Sequence, residues 1–171
     1  KGKTTAEEAA ADSGELVLEN EFVRYVFSPT AELLEAYDKR HERSILKPGE
    51  KGNDLSLYVD YPVNWEAWDV DLYYSQQFLA YPEAVRARKI VEGPVRSALE
   101  FELKVSGSTI HQTVILDRTG ARLDFHTTVE WHEERKMLRT AFPLQVFADD
   151  AAFDIQYGYV KRTMNDNTSW D

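Results

Sequence analysis

From Val95 to Val105 the chain keeps a strict two-residue period: Val95, Ser97, Leu99, Phe101, Leu103 and Val105 on one side, Arg96, Ala98, Glu100, Glu102 and Lys104 on the other. That pattern predicts a strand with one buried face. A two-residue turn at Ser106-Gly107 then sets Leu103 opposite Ile110, Phe101 opposite Gln112 and Leu99 opposite Val114. A second turn in Asp117–Gly120 sets Leu116 opposite Leu123, Val114 opposite Phe125, Gln112 opposite Thr127 and Ile110 opposite Val129. Both hairpins send their apolar residues to the same face, and a slip of one residue in either would turn a whole apolar row into water. Leu99, Val114 and Phe125 are therefore expected to share a core.

The rest of the chain reads the same way. ELVLEN, EFVRYVFS and AELLEAYDK each hold a β-prone stretch, PGEKGN at Pro48–Asn53 is a turn cluster, and DLSLYVD follows it. Glu92–Pro94 supplies another tight turn, KMLRTAFPLQVF predicts a long strand, and FDIQYGYV closes the set. No helix is expected after Gly14. Lys1–Gly14 is small, polar and charged and reads as a linker, leaving residues 15–171 as one domain. The expected fold is all-β, an antiparallel β-sandwich with one face wet.

Composition limits the function. Thirty acidic against 20 basic residues give a formal charge of −10, so neither nucleic acid nor an anionic membrane surface finds a basic footprint here. No apolar run approaches the ~18 residues of a membrane-spanning helix. There is no cysteine, which rules out disulfides and thiolate metal sites and permits a reducing compartment.

Two groups of residues carry candidate chemistry. On the polar face of the predicted hairpins Glu102 lies opposite His111, His111 is diagonal to His126, and Asp117 lies opposite Arg122. A Glu/His/His group at that spacing suits a metal, although a solvated face of charge pairs is the commoner outcome. Asp124, Glu130 and His132 share the face but run along one strand, ~7 Å per same-face step, too far apart for one ion. The second group is the run Asn53–Tyr74, with two tryptophans, four tyrosines and four aspartates. So much aromatic mass outside any regular period predicts a contact surface. Asp69 and Asp71 form an i, i+2 carboxylate pair within it. Such a pair suits general acid–base work on a glycosidic bond, while loop aspartates more often accept backbone N–H bonds. No phosphate loop, dinucleotide fingerprint, G-x-S-x-G or H-E-x-x-H is present.

The strings ELVLENEFVRYVFS, PGEKGNDLSLYVDYPVNWEAWDVDLYY, WHEERKMLRTAFPLQV and IQYGYVKRTMNDNTSWD resemble the β-sandwich region of family 38 glycoside hydrolases, the α-mannosidases. The motif N-x-L-x-L-Y-x-D-x-P-x-x-W-x-A-W-D-x-D at Asn53–Asp71 and the closing NTSWD at Asn167–Asp171 carry most of it. The resemblance implies part of a large sandwich of the galactose-mutarotase type, cut at both ends. It also implies a zinc-dependent, retaining enzyme that hydrolyses terminal α-mannosides in glycans. Its metal ligands and nucleophile would sit on an N-terminal barrel, followed by a helical bundle, in the same polypeptide. None of those motifs occurs here, so no catalytic or zinc-binding residue is assigned, and the fragment alone is expected to be inactive. Trp65, Trp68, Tyr73 and Tyr74 would face the barrel, with Asp69 and Asp71 near the mannoside. Left uncovered, the run would drive self-association. The resemblance is to bacterial and cytosolic or vacuolar-type members, which makes the cytoplasm the expected location. An autonomous carbohydrate-binding or mutarotase-like module, using the same aromatics as a sugar platform, is the other class open at this point.

Overall fold

The structure is a computed structural model that describes residues 16–66, 68 and 70–164. The predicted linker, Asp69 and the closing NTSWD lie outside the described residues. Thirteen strands and one 3-10 turn, Leu72–Gln76, make up the described structure. The first sheet runs β1 (Val17–Glu19), β2 (Val23–Phe27), β3 (Leu33–Asp38) and β4 (Arg43–Ser44), each antiparallel to the next. The second is a meander of β7 (Glu83–Glu92), β8 (Arg96–Val105), β9 (Ser108–Asp117) and β10 (Leu123–Glu130). A third sheet orders β11 (Lys136–Ala141), β5 (Asp54–Val59) and β6 (Phe78–Ala80), and β12 (Asp150–Ile155) pairs with β13 (Gly158–Thr163).

Both predicted hairpin registers occur residue for residue: Leu103 with Ile110, Phe101 with Gln112, Leu99 with Val114, then Val114 with Phe125 and Ile110 with Val129. Their apolar face meets the first sheet. Leu18, Val23, Tyr25, Phe27 and Leu33 pack against Leu99, Phe101, Leu103, Ile110 and Val114, with Leu55 and Leu57 of β5 joining the same cluster. Phe27 and Phe101, from opposite sheets, stand 5.7 Å apart between ring centroids. This is an antiparallel sandwich, as the alternation required. Phe125 is placed less deeply than expected: it sits opposite Val114 but is half-buried, edge-on to Phe27 at 6.4 Å and to Phe142 at 5.6 Å.

Buried amides tie the layers together. Asn20 Oδ1 accepts from the N–H groups of Phe22 (2.8 Å) and Val23 (3.1 Å), while its Nδ2 donates to the carbonyls of Asp117 and Gly120 at 2.8 and 2.6 Å. The Tyr25 hydroxyl donates to the Ala121 carbonyl at 2.7 Å. Asn53 takes a left-handed φ of 48°, tolerable for asparagine, and its Nδ2 donates to Ala31 O and Gln112 Oε1. Gly52, beside it, allows a close approach, since a Cβ there would stand 3.1–3.3 Å from Phe142, Leu46 and Leu33.

Two expectations fail locally. KMLRTAFPLQVF is strand only as far as Ala141; Phe142 and Pro143 break it, and Leu144 keeps a single bridge to Leu46. Proline lacks the N–H a continuing ladder needs. Asp117 does not pair with Arg122 either. Asp117 lies 3.4 Å from Arg96, its partner on β8, and Arg122 turns back to Asp124 at 2.9 Å.

Candidate functional site

The excursion between β5 and β6 carries the sequence-predicted site residues. Its base is fixed: Asp60 N–H donates to the Arg135 carbonyl at 2.8 Å, the Arg135 guanidinium lies 4.1 Å from the centre of the Tyr61 ring, and it reaches Glu66 at 3.1 Å. Farther out the side chains lose contact with the body. Trp65 is 73% exposed, Trp68 81% and Tyr73 62%. Tyr74 differs, being half-buried edge-on to Tyr58 at 5.5 Å with the Arg139 guanidinium 4.4 Å over its ring. Asp71 plays the ordinary loop role: its carboxylate accepts from Val63 N–H at 3.0 Å, and its carbonyl accepts from Tyr74 N–H at 3.0 Å.

The outward face of β5 and β11 was not singled out by sequence. Because β5 alternates, Leu55 and Leu57 point to the core and Asp54, Ser56 and Tyr58 point away, with Ser56 opposite Arg139 and Asp54 opposite Ala141 on β11. Two cavities share this face. One of about 190 Å³ is lined by Asp54, Ser56, Tyr58, Tyr74 and Arg139, and one of about 720 Å³ by Glu32, Glu50, Lys51, Asp54, Tyr81 and Phe142. Asp54 borders both. Burial, and then the neighbouring Glu32 charge, push its carboxyl above the usual range. Glu32 goes the other way: burial opposes ionisation, but hydrogen bonds from Lys51, Thr30 and Ser28 hold its carboxyl below the usual range. The signal for this face was present in DLSLYVD, whose alternate residues are polar, hydroxylated and aromatic.

Elsewhere the polar groups close on one another. Glu102 pairs with Arg86 at 3.1 Å as well as facing His111, and His126 stands opposite Thr113. Among the described residues no group of three or more His, Asp or Glu is arranged to hold a metal ion. The Glu133 carboxylate, 4% exposed, accepts from Gly107 N–H at 2.6 Å, from the Ser106 and Ser108 hydroxyls and from Lys136. With Lys136 the largest cause, its pKa falls to about 2. This clamp joins the β8–β9 turn to the segment leading into β11.

The family model described as glycosyl hydrolases family 38 C-terminal domain matches residues 18–171. The chain belongs to glycoside hydrolase family 38. It is 32% identical to alpha-mannosidase G of Dictyostelium discoideum over 98% of its own length and 16% of that protein. It is 34% identical to alpha-mannosidase 2C1 of Homo sapiens over 92% of its length and 15% of that protein. The chain thus spans about a sixth of these family 38 relatives. A crystal structure of an alpha-mannosidase from Enterococcus faecalis V583 superposes with a TM-score of 0.65 at 15% identity, covering 91% of this chain and 20% of that one, a likeness of fold. No helix among the described residues is long and apolar enough to cross a membrane.

Proposed function

We propose that this family 38 sandwich is the supporting part of a cytoplasmic α-mannosidase, a zinc-dependent retaining enzyme that removes terminal α-mannosides from glycans. The observation that carries the reading is the family match together with Trp65, Trp68 and Tyr73, which find no cover among the described residues. Tryptophan side chains this exposed, clustered on one excursion, are what a neighbouring domain covers. In this reading that domain is the catalytic barrel, with its helical bundle, of the same polypeptide.

The described residues do not fit a zinc ion. Glu102 is engaged by Arg86, and no further acid or histidine converges on His111 and His126 among the described residues. The zinc ligands and the nucleophile belong, in this reading, to polypeptide beyond this chain. The sandwich's own contribution is to hold the excursion at Arg135 and Asp60 so that its aromatic tip meets the barrel in one orientation.

The test is hydrolysis of an aryl α-mannoside. The full-length polypeptide should release the aryl group, lose that activity to a chelator and regain it with zinc, while the 171-residue chain alone gives no turnover with or without zinc. Zinc-dependent release by the isolated chain sinks the reading. A full-length protein that binds sugar without turnover favours an autonomous carbohydrate-binding module.

A further inference from the structure

Three polar side chains on the outward face of β5 and β11 make no hydrogen bond or ion pair among the described residues. Ser56 is only 6% exposed, yet it lines the smaller cavity and its hydroxyl makes no hydrogen bond among the described residues. Asp54 borders both cavities with no ion pair among the described residues, because Lys51, the nearby ammonium, is bound to Glu32 at 2.7 Å. Arg139, on the far side of the smaller cavity, rests on the Tyr74 ring and is not paired with a carboxylate among the described residues. Opposite charges thus flank one cavity without closing on each other. Ser56 is buried, Asp54 half-buried and Arg139 exposed, so the cost of an unmet hydrogen bond falls first on Ser56, and a ligand hydroxyl in the cavity is what would meet it.

The three groups differ in hydrogen-bonding character, and that difference selects the ligand. A carboxylate only accepts, a guanidinium only donates, and a hydroxyl does both. An anion would meet Asp54, Glu32 and Glu50 with like charge, and a cation would meet Arg139. Hydroxyl groups on a neutral ring donate to the first, accept from the second and exchange with the third. The walls agree, because Tyr58 and Tyr74 at one end and Tyr81 and Phe142 at the other offer ring faces or edges to the C–H surface of a pyranose. Tyr58, Phe78 and Tyr81 continue the aromatic line, at 5.8 and 4.6 Å between centroids.

We propose that the outward face of β5 and β11 is a binding cleft for a neutral pyranoside. Asp54 accepts from neighbouring hydroxyls, Ser56 exchanges one hydrogen bond, Arg139 donates to a sugar oxygen, and Tyr74 and Tyr81 form the apolar walls. The choice of a mannoside as the probe rests on the α-mannosidase reading. Phosphorylated and acidic sugars are rejected by the carboxylates that rim the larger cavity.

The test places 3-fluorotyrosine at position 81 of the full-length polypeptide, with a second label at the buried Tyr25 as a reporter of folding. Methyl α-mannoside should move the position-81 resonance saturably with a midpoint of roughly 1–10 mM, weak but specific binding. Asp54→Ala and Ser56→Val should each raise that midpoint by about tenfold or more while the Tyr25 signal stays native. Mannose 6-phosphate should shift the resonance only at about tenfold higher concentration. The proposal is overturned by no shift up to ~50 mM, by equal response to the phosphorylated sugar, by a response to glycine in place of the sugar, or by indifference to both substitutions in natively folded protein. Aryl mannoside hydrolysis is measured on the same preparation. Saturable binding without hydrolysis supports the cleft and counts only against the hydrolase reading.

Discussion

Phe101 and Trp68 are both large aromatic side chains in one small domain, yet Phe101 is wholly buried and Trp68 stands in solvent. The contrast extends to their surroundings. In β8 and β9 Leu99, Phe101, Leu103, Val105, Ile110, Val114 and Leu116 recur at the strand period, so forming the ladder fixes which side they take and the first sheet has a continuous surface to cover. Between Tyr61 and Tyr73 aromatic residues are denser, four against two in all of residues 83–130, but they follow no period and stay exposed among the described residues. Aromatic content therefore measures how much surface must be covered, while periodicity tells whether the chain can cover it by itself.

The largest effect that would break or sharpen this comparison is truncation of the two aromatics. Phe101→Ala should lower unfolding free energy by about 3–5 kcal/mol, and Trp68→Ala should change it by less than about 0.5 kcal/mol, in denaturant melts of the same chain. Equal losses would mean that the excursion packs on the body after all. The next effect lies at the boundary between the regions. Asn53→Ala removes the donor to Ala31 and Gln112 and leaves buried acceptors unpaired, so it should cost about 1–3 kcal/mol, whereas Asn64→Ala, in the exposed excursion, should be close to neutral. A loss below 0.5 kcal/mol at Asn53 would dissolve that boundary.

The smallest effect at neutral pH is that of the Glu133 clamp. Its carboxyl titrates lower in the folded protein, about 2 against an ordinary 4.5, so the unfolded chain binds the proton first as pH falls. The stabilisation is fully present above about pH 4.5 and is lost progressively towards pH 2. Glu133→Gln should therefore show a shallower fall in Tm between pH 5 and pH 2.5 than the parent chain. Parallel acid limbs for the two would remove Glu133 from the account.

The registers were legible because two independent turns demanded the same buried face, and the family from motifs spread along the chain. Three features were not. Phe125 reads as core by period, but β10 is the edge of its sheet and has no outer neighbour to cover it. The break after Ala141 follows from Pro143, whose effect on a ladder depends on whether a partner strand continues beside it. Of the cleft residues, Asp54 and Ser56 were hidden inside a motif whose tryptophans drew the reading, and Arg139 sits in the separate strand KMLRTA. Their meeting depends on which strand lies beside β5, and that strand is about 80 residues away in the chain.

The hydrogen bonds of Asn20 have a consequence for the order of synthesis. The β1–β2 hairpin is made before its partners, since half of what its asparagine requires, the carbonyls of Asp117 and Gly120, lies 97 and 100 residues downstream. At about 5–20 residues per second, the hairpin waits on the order of 5–20 s before its partners exist. Tyr25 waits as long for Ala121. The β1–β2 corner therefore cannot reach its final hydrogen bonding during its own translation, and it is completed by the last hairpin of the meander.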